Sequence, residues 1–334
     1  MFIHSTQQVS EHQARDVTRV RTCRAVDSVG HACLHKTLST LPNELKPYAL
    51  RFSLKQRVVL NDRFELIKLL GSGGMSEVYQ ARDLHKQQYP HRYPIAIKLL
   101  SEQWQSDQYA KAQLIKEAEI LSRLTHSGIV RMIEVDSALG SPIITMEFVK
   151  GDTLEAIIKH YTLQLLPVDD ALSLIKKLAM ALAHTHEQRL VHADIKPGNV
   201  IVTATGGVKI IDFGAAQRVD PSNESARGNG YENQNKMDYA DAYTPAYASA
   251  ETIAGVSVDV RDDVYALGCI AYELLSGRHP YQRMPADEAI RAGMVAQKID
   301  RIRPKQWRAI YQAIVLKRQQ RTPCMSHFYN ELAA

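Results

Sequence analysis

The sequence predicts an α+β fold in two lobes, a strand-rich lobe over residues 61–150 and a helix-rich lobe over residues 151–334. Short apolar runs, several of them alternating, dominate as far as Phe148. After Gly151 the apolar residues recur at helical spacing instead. Strands followed by helices along one chain are typical of α+β organisation. Residues 1–60 carry no clear pattern, and we treat them as an N-terminal extension of unknown structure.

The first lobe is expected to begin with two strands joined by a glycine-rich turn. Alternating apolar residues indicate the strands, and Gly, Ser and Met form the turn. Its predicted elements, in order, are a strand at 63–70, a turn at 71–76, strands at 77–83 and 95–100, a helix at 107–124, and strands at 129–135 and 142–149. We expect Ser106 or Asp107 to cap the helix.

The second lobe is expected to be mostly helical. A long stripe of Ala, Leu and Ile follows Pro167, a residue type favoured at helix starts. The predicted helices span roughly 167–188, 261–276, 286–297, 304–317 and 322–333. Between the first two, residues 215–243 are polar and rich in Asn, Gly, Ser and Tyr, which predicts a long exposed loop; such loops are usually functional or mobile.

Composition excludes several classes of protein. The formal net charge is +5, from 41 Lys and Arg against 36 Asp and Glu, and it is spread along the chain. This favours an ordinary solvated surface over a nucleic-acid partner. The four cysteines form no C-x-x-C pair, which argues against a disulfide framework. No apolar run reaches the roughly 18 residues that a bilayer span requires, and the N-terminus lacks a secretion signal. We therefore expect a cytoplasmic protein without a membrane partner.

The turn GSGGMS is the first candidate for chemistry. Gly71, Gly73 and Gly74 allow the backbone to approach a phosphate closely and to point N–H groups at it. A plain hairpin turn is the alternative. A dinucleotide-binding turn requires a helix next, whereas Val78 and its neighbours continue as a strand.

Lys98 is the second candidate, since it lies in a strand whose alternate side chains enter a core. A buried ammonium group requires a partner, or else the side chain reaches solvent. The following helix offers Glu117, and Asp107 and Glu119 are further candidates.

The third candidate is the stretch VHADIKPGNV at residues 191–200, followed by IIDFG. Asp194 could accept or orient a hydroxyl proton. Asn199 and Asp212 offer the oxygen ligands that Mg²⁺ prefers. Each of these residues alone is more often a structural polar group.

A glycine-rich hairpin, a strand Lys, a helix Glu, H-x-D-x-K-x-x-N and D-F-G follow one another in a set order. With TPAYASAE further on, the sequence resembles the protein kinase family over about residues 63–330, specifically bacterial kinases of the eukaryotic-like Ser/Thr type. The resemblance implies a bilobal kinase fold and transfer of the ATP γ-phosphate to Ser/Thr hydroxyls of proteins, with Mg²⁺. A kinase-like binding scaffold and a small-molecule phosphotransferase on the same fold are the alternatives.

The resemblance also implies site residues. Asp194 would be the catalytic base and Lys196 would steady the transferring phosphoryl group, while Asn199 and Asp212 would hold Mg²⁺. Lys98 would hold the α- and β-phosphates and pair with Glu117. The implied ATP-binding residues are Leu70, Gly71, Ser72, Gly73, Gly74, Ser76, Val78, Ala96, Lys98, Glu117, Met146, Glu147, Val149 and Ile201.

Further positions carry structural expectations and departures from the family pattern. Glu251 and Arg321 match a family ion pair, and Asp263 matches a structural acid. Ser76 replaces the third loop glycine, and Ala250 replaces the proline of A-P-E.

Ala193 stands where many regulated kinases have an Arg that binds an activation-loop phosphate. We therefore expect activity without such a phosphate, and we expect a cytosolic regulator to act through residues 1–60.

Overall fold

The structure is a computed structural model that describes residues 21–23, 36–37, 57–86, 94–161, 165–219 and 244–333. Contacts divide the chain into two compact units. The first unit comprises Met1–Lys111 and Glu134–Thr145, and the second comprises Ala112–Ile133 and Met146–Ala334. The lobe boundary at 150/151 stays a prediction. Most of the N-terminal extension and most of the long loop lie outside the described residues.

The first unit is built on an eight-stranded sheet with the order β2-β1-β3-β4-β5-β6-β8-β7. Its strands are β1 (Arg21–Cys23), β2 (Lys36–Thr37), β3 (Arg57–Leu60), β4 (Phe64–Ser72), β5 (Ser76–Asp83), β6 (Ile95–Leu100), β7 (Met132–Ala138) and β8 (Ser141–Glu147). Every residue of β6 is buried, including Lys98, and the other five residues are apolar, as is typical of a central strand. The first three strands lie within residues 1–60, and the sequence pattern did not indicate them.

The second unit is mainly helical, and two small sheets support its loops. The helices of the chain are α1 (Gln108–Ser122), α2 (Leu154–His160), α3 (Val168–Glu187), α4 (Ala250–Ile253), α5 (Val260–Ser276), α6 (Ala286–Arg291), α7 (Pro304–Ala313) and α8 (Met325–Ala333). Helix α3 packs against α5 and α8. Strands β9 (Gly151–Thr153), β11 (Val200–Thr203) and β12 (Val208–Ile210) form one sheet, and β10 (Leu190–Val191) pairs with β13 (Gln217–Arg218).

Most predicted elements are confirmed, with differences at their ends. The helix expected over 286–297 ends at Arg291, because Gly293 adopts φ +62° and the Met294 N–H returns to the Ala289 carbonyl at 3.0 Å. The helix expected over 304–317 ends at Ala313. Helix α2 was not predicted, although Thr153 caps it by accepting the Ala156 N–H at 3.2 Å. Asp107 caps α1 in the same way at 2.7 Å.

Membrane-spanning helices are not found in the described ranges, where no helix is both long and apolar enough.

Candidate active site

The glycine-rich turn joins β4 to β5 in the first unit. Gly71 pairs with Val78, and the Gly73 N–H closes the turn on the Ser76 carbonyl at 2.7 Å. A β-carbon added at Gly71 or Gly74 would meet no atom within 4 Å, so the protein's own packing does not require glycine there. The space beside the backbone is what a phosphate would need to approach these N–H groups. That the turn holds the phosphates of a nucleotide stays a prediction.

The proposed Lys–Glu pair is buried at both positions. Lys98 lies on β6 opposite Val78 of β5 and is 6% exposed. Glu117 lies on α1 and is 3% exposed. Among the three acids that the sequence offered, Asp107 serves as the α1 cap and Glu119 is exposed, so Glu117 is the buried one. Pairing of Lys98 with Glu117 stays a prediction.

The loop after β10 is held in place by a buried carboxylate. Asp263 of α5 is 1% exposed and accepts the backbone N–H of His192 at 2.9 Å and that of Ala193 at 3.0 Å. His186 lies 2.8 Å from the same carboxylate. Burial alone would raise the pKa of Asp263, but these donors reverse the effect and lower it. The loop is therefore anchored by a charge that stays ionised.

His192 serves the loop as a neutral, buried side chain. It is fully buried, and its ring lies 4.7 Å from the ring of Phe213. Burial lowers the pKa of this imidazole, which favours its neutral form. Its Nδ1 accepts the Asp194 N–H at 3.3 Å. His192 thus orients the residue that follows Ala193.

Three groups fix the carboxylate of Asp194. The Lys196 ammonium lies 2.6 Å from Oδ2, and the Asn199 amide donates to the same oxygen at 3.2 Å. The Thr244 N–H donates to Oδ1 at 3.1 Å. The Asp194 side chain is 12% exposed. It is therefore positioned by three donors and still reachable by a ligand.

Asn199 and Asp212 are neighbours, as a shared metal requires. Ile211, which precedes Asp212, donates its N–H to the Asn199 carbonyl at 3.0 Å. The Asn199 Nδ2 atom donates to Asp194, and in the described residues no hydrogen bond reaches its Oδ1. Asp212 Oδ1 accepts the Gly214 N–H at 3.1 Å. A carboxylate and an amide oxygen are a donor set that fits Mg²⁺.

The other implied ATP-binding residues are divided between the two units. Leu70, Val78 and Ala96 lie on strands β4, β5 and β6 of the first unit, and Leu70 is 43% exposed there. Met146, Glu147, Val149 and Ile201 belong to the second unit, and Met146 is buried. The Glu147 carboxylate is fixed by the Lys209 ammonium at 2.5 Å and by the Arg131 N–H at 2.9 Å.

The family ion pair is confirmed and belongs to a larger cluster. Arg321 lies 3.1 Å from Glu251, and its side chain is completely buried. Nearby, Arg318 makes two hydrogen bonds to Asp262, at 2.9 and 3.0 Å. Ser249 also donates to Asp262, at 2.7 Å. This cluster ties the TPAYASAE segment to helix α5.

Sequence reasoning missed Lys209, noted Thr244 only as part of the TPAYASAE segment, and gave Asp263 only a general structural role. Lys209 and Thr244 lie far from their partners in sequence, and neither type of contact leaves a periodic signal. The alternation of VKI before IIDFG places Lys209 on the opposite face from its apolar neighbours, but nothing in the sequence pairs it with Glu147.

Comparisons with known proteins agree on one family. A family model described as "Protein kinase domain" matches residues 64–327. The serine/threonine-protein kinase PknB of Mycobacterium leprae is 35% identical over 226 residues, which are 66% of this chain and 34% of that protein. PknB of Mycobacterium tuberculosis is 37% identical over the same shares. The chain thus spans about a third of the length of the curated relatives it matches.

A solved structure gives the same fold. The crystal structure of the Mycobacterium tuberculosis PknI kinase domain has a TM-score of 0.59 to this chain and 23% sequence identity. The match covers 81% of this chain and 95% of that one. At this identity the likeness shows the fold alone: a β-sheet N-lobe and a helical C-lobe.

Proposed function

Because the chain belongs to the protein kinase family, we propose that it is a serine/threonine protein kinase that transfers the γ-phosphoryl group of ATP to Ser and Thr hydroxyls of proteins. The observation that carries this proposal is the fixed carboxylate of Asp194, held by Lys196, Asn199 and Thr244. A scaffold that has lost its activity does not need this arrangement.

Asp194 orients the acceptor hydroxyl and takes its proton as the new P–O bond forms. In this structure the Lys196 ammonium contacts the Asp194 carboxylate. During the reaction it can stabilise the negative charge that develops on the transferring phosphoryl group. Asp263 keeps both residues in register by holding the loop backbone. When bound, ATP with Mg²⁺ supplies the phosphoryl group and neutralises its charge. We assign the metal to Asn199 and Asp212, and the nucleotide phosphates to Lys98 and the glycine-rich turn.

The test is phosphate transfer from radiolabelled ATP to a protein acceptor, followed by identification of the phosphorylated amino acid. We expect phosphoserine or phosphothreonine with the wild type. Asp194→Ala and Lys98→Ala should each lower the rate at least about 100-fold. Asp300→Ala, at a side chain that is 86% exposed, is the matched control and should leave the rate unchanged. Equal incorporation in all four proteins would contradict the proposal, and so would a preference for a small metabolite as acceptor.

Two further points extend the proposal. We assign the protein to the cytoplasm, and we assign residues 1–60 the contact with a cytosolic regulator. Both rest on the sequence. Addition of a binding protein that alters the wild-type rate but not the rate of a chain lacking residues 1–56, a deletion that keeps the buried strand β3, would support the second point.

A further inference from the structure

A cleft of about 500 Å³ lies within the second unit, beside the first turns of α3 and α7. Asp169, Ser173 and Lys176 line it from α3. Arg301, Arg303 and Gln306 line it from the start of α7 and the segment before that helix. We name this the α3/α7 cleft. None of its residues belongs to the proposed catalytic or nucleotide-binding set, and a volume of this size is typical of ligand sites.

The charge of the α3/α7 cleft is unbalanced. Three cations, Lys176, Arg301 and Arg303, face a single carboxylate, Asp169. In the described ranges none of the three cations has a carboxylate within 4.0 Å, whereas other cations of this unit do. Like charges held together in one concave site repel each other and raise the local potential for an anion.

One cation of the cleft has a fixed side chain, and the backbone of a second is fixed. Arg301 donates through Nη2 to the Leu166 carbonyl at 2.7 Å, just before α3. The backbone N–H of Arg303 donates to the Gln306 side-chain oxygen at 3.1 Å, and Gln306 is 3% exposed. An Arg guanidinium has five N–H donors, so a single hydrogen bond to a carbonyl leaves a pair of donors for a ligand. The Arg301 side chain and the start of α7 are therefore positioned before a ligand binds.

The number and geometry of these donors match a phosphomonoester. A phosphate dianion has three strong acceptor oxygens and pairs with Arg in a bidentate manner. Ser173 offers a hydroxyl, and the N-terminal turns of two helices add partial positive charge. A single carboxylate ligand would leave two of the cations unmatched. We propose that the α3/α7 cleft binds a phosphomonoester dianion.

Two sources carry this chemistry: a phosphorylated Ser or Thr residue of a polypeptide, and a free small phosphomonoester. Arg301 and Arg303 are exposed, so a group attached to a polypeptide chain reaches them without entering an enclosed cavity. The polypeptide source rests on the proposed function, since a Ser/Thr kinase makes such residues. The binding chemistry itself does not rest on it.

The experiment is calorimetric titration of the full chain with four probes: a pentapeptide with a central phosphoserine, the same peptide with serine, the same peptide with glutamate, and inorganic phosphate. We expect the phosphopeptide to bind and the serine peptide not to bind. Added salt should weaken the binding, because exposed charges are screened. Tighter binding of the peptide than of phosphate identifies the polypeptide source, and equal binding identifies a free phosphomonoester.

Variants place the binding in the cleft. Arg301→Gln with Arg303→Gln should lower the phosphopeptide affinity at least about tenfold, because the variant loses strong charge-assisted hydrogen bonds to the phosphate. Arg301→Lys keeps the charge but loses the paired N–H donors of the guanidinium. Its phosphopeptide affinity should therefore lie between that of the wild type and that of the double variant. Lys305→Gln with Arg308→Gln removes the same charge from exposed positions outside the cleft lining, and should leave the affinity unchanged.

Three results would overturn the inference: no binding of any probe at millimolar concentration, equal affinity in wild type and the Arg301/Arg303 variant, or equal affinity for a peptide with glutamate in place of phosphoserine. If the double variant unfolds, Lys176→Gln supplies the same test from α3. The titration uses no ATP, so phosphopeptide binding can be detected even if the protein transfers no phosphate.

Discussion

The backbone N–H of Ala193 donates to the Asp263 carboxylate at 3.0 Å, and Ala193 adopts φ +66° at that point. Positive φ is unfavourable for a residue with a side chain, so the buried charge of Asp263 holds the loop in a conformation it would not take alone. The next residue is Asp194. A carboxylate on helix α5 thus determines where the proposed catalytic base lies.

Asp263→Asn is expected to destabilise the protein and to impair phosphate transfer. The Asn side chain has one acceptor oxygen in place of two, so it accepts fewer hydrogen bonds from the surrounding N–H groups. Its own N–H groups also face those donors. A loss of about 2 to 4 kcal/mol in the free energy of unfolding is typical of breaking such a buried network. Urea unfolding measures it, with the exposed Asp300→Asn as control. Equal stability of the Asp263 and Asp300 variants would contradict this role.

Substitution at Ala193 tests the backbone conformation. Ala193→Gly relieves the positive φ and should be neutral or stabilise the fold by up to about 1 kcal/mol. Ala193→Val should destabilise it by about 1 to 3 kcal/mol, because β-branched residues avoid this region. Ala292→Gly is the control: its φ is −79°, so glycine gives no relief there. Thermal unfolding of the three variants gives the order, and stabilisation by valine would contradict the assignment.

Ala193 also bears on regulation. It lacks the cation that would receive an activation-loop phosphate, so phosphatase treatment and the Ser222→Ala/Ser225→Ala variant should leave the rate of phosphate transfer within about twofold of wild type. Both serines lie outside the described residues. Mock-treated protein is the control for the phosphatase arm. Loss of activity in either arm would show that a phosphate on this loop is required after all.

Lys209 is expected to position the segment around Glu147, one of the implied ATP-binding residues. Its ammonium bonds Glu147 at 2.5 Å and the Ile129 carbonyl at 3.0 Å. Lys209→Met should raise KM for ATP several-fold while changing kcat less, because it loosens a binding segment and leaves Asp194 in place. Glu147→Gln should have a similar effect, and the double variant should be less than additive. Additive effects would show that the pair is not coupled. Lys305→Met is the exposed control.

His279 is expected to make stability depend on pH. It is 5% exposed, and burial lowers its pKa to about 4. Its Nδ1 accepts two N–H groups, from Tyr281 at 3.2 Å and from Arg283 at 3.0 Å, which protonation would prevent.

Because the folded pKa of His279 lies below the unfolded value of about 6.5, the unfolded state binds the proton first. Stability should therefore fall as the pH is lowered from about 6.5 to about 4, by up to about 3 kcal/mol. His279→Asn keeps an acceptor and does not titrate. The difference between wild type and variant in urea unfolding at pH 7, 5.5 and 4.5 isolates this group, and parallel curves would contradict it.

The sequence alone determined the family and most of the elements from residue 63 onward, and it predicted the candidate site. Local signals were sufficient for this: the alternation of β4 and β5, the mostly apolar run of β6, and the spacing from Asp194 to Lys196 and Asn199. Helix ends were less predictable, since Gly293 could have been tolerated inside a helix and ends α6 only through its positive φ.

The tertiary structure alone decided what holds these residues. Asp263 meets Ala193 across 70 positions of sequence, Lys209 meets Glu147 across 62, and Thr244 meets Asp194 across 50. Such contacts depend on packing between elements and leave no period in the sequence. The cations of the α3/α7 cleft likewise form no recognisable sequence motif, and only the fold brings Lys176 close to Arg301 and Arg303. The physical reason is that local propensity is set by neighbours along the chain, whereas charge and hydrogen bonding are set by neighbours in space.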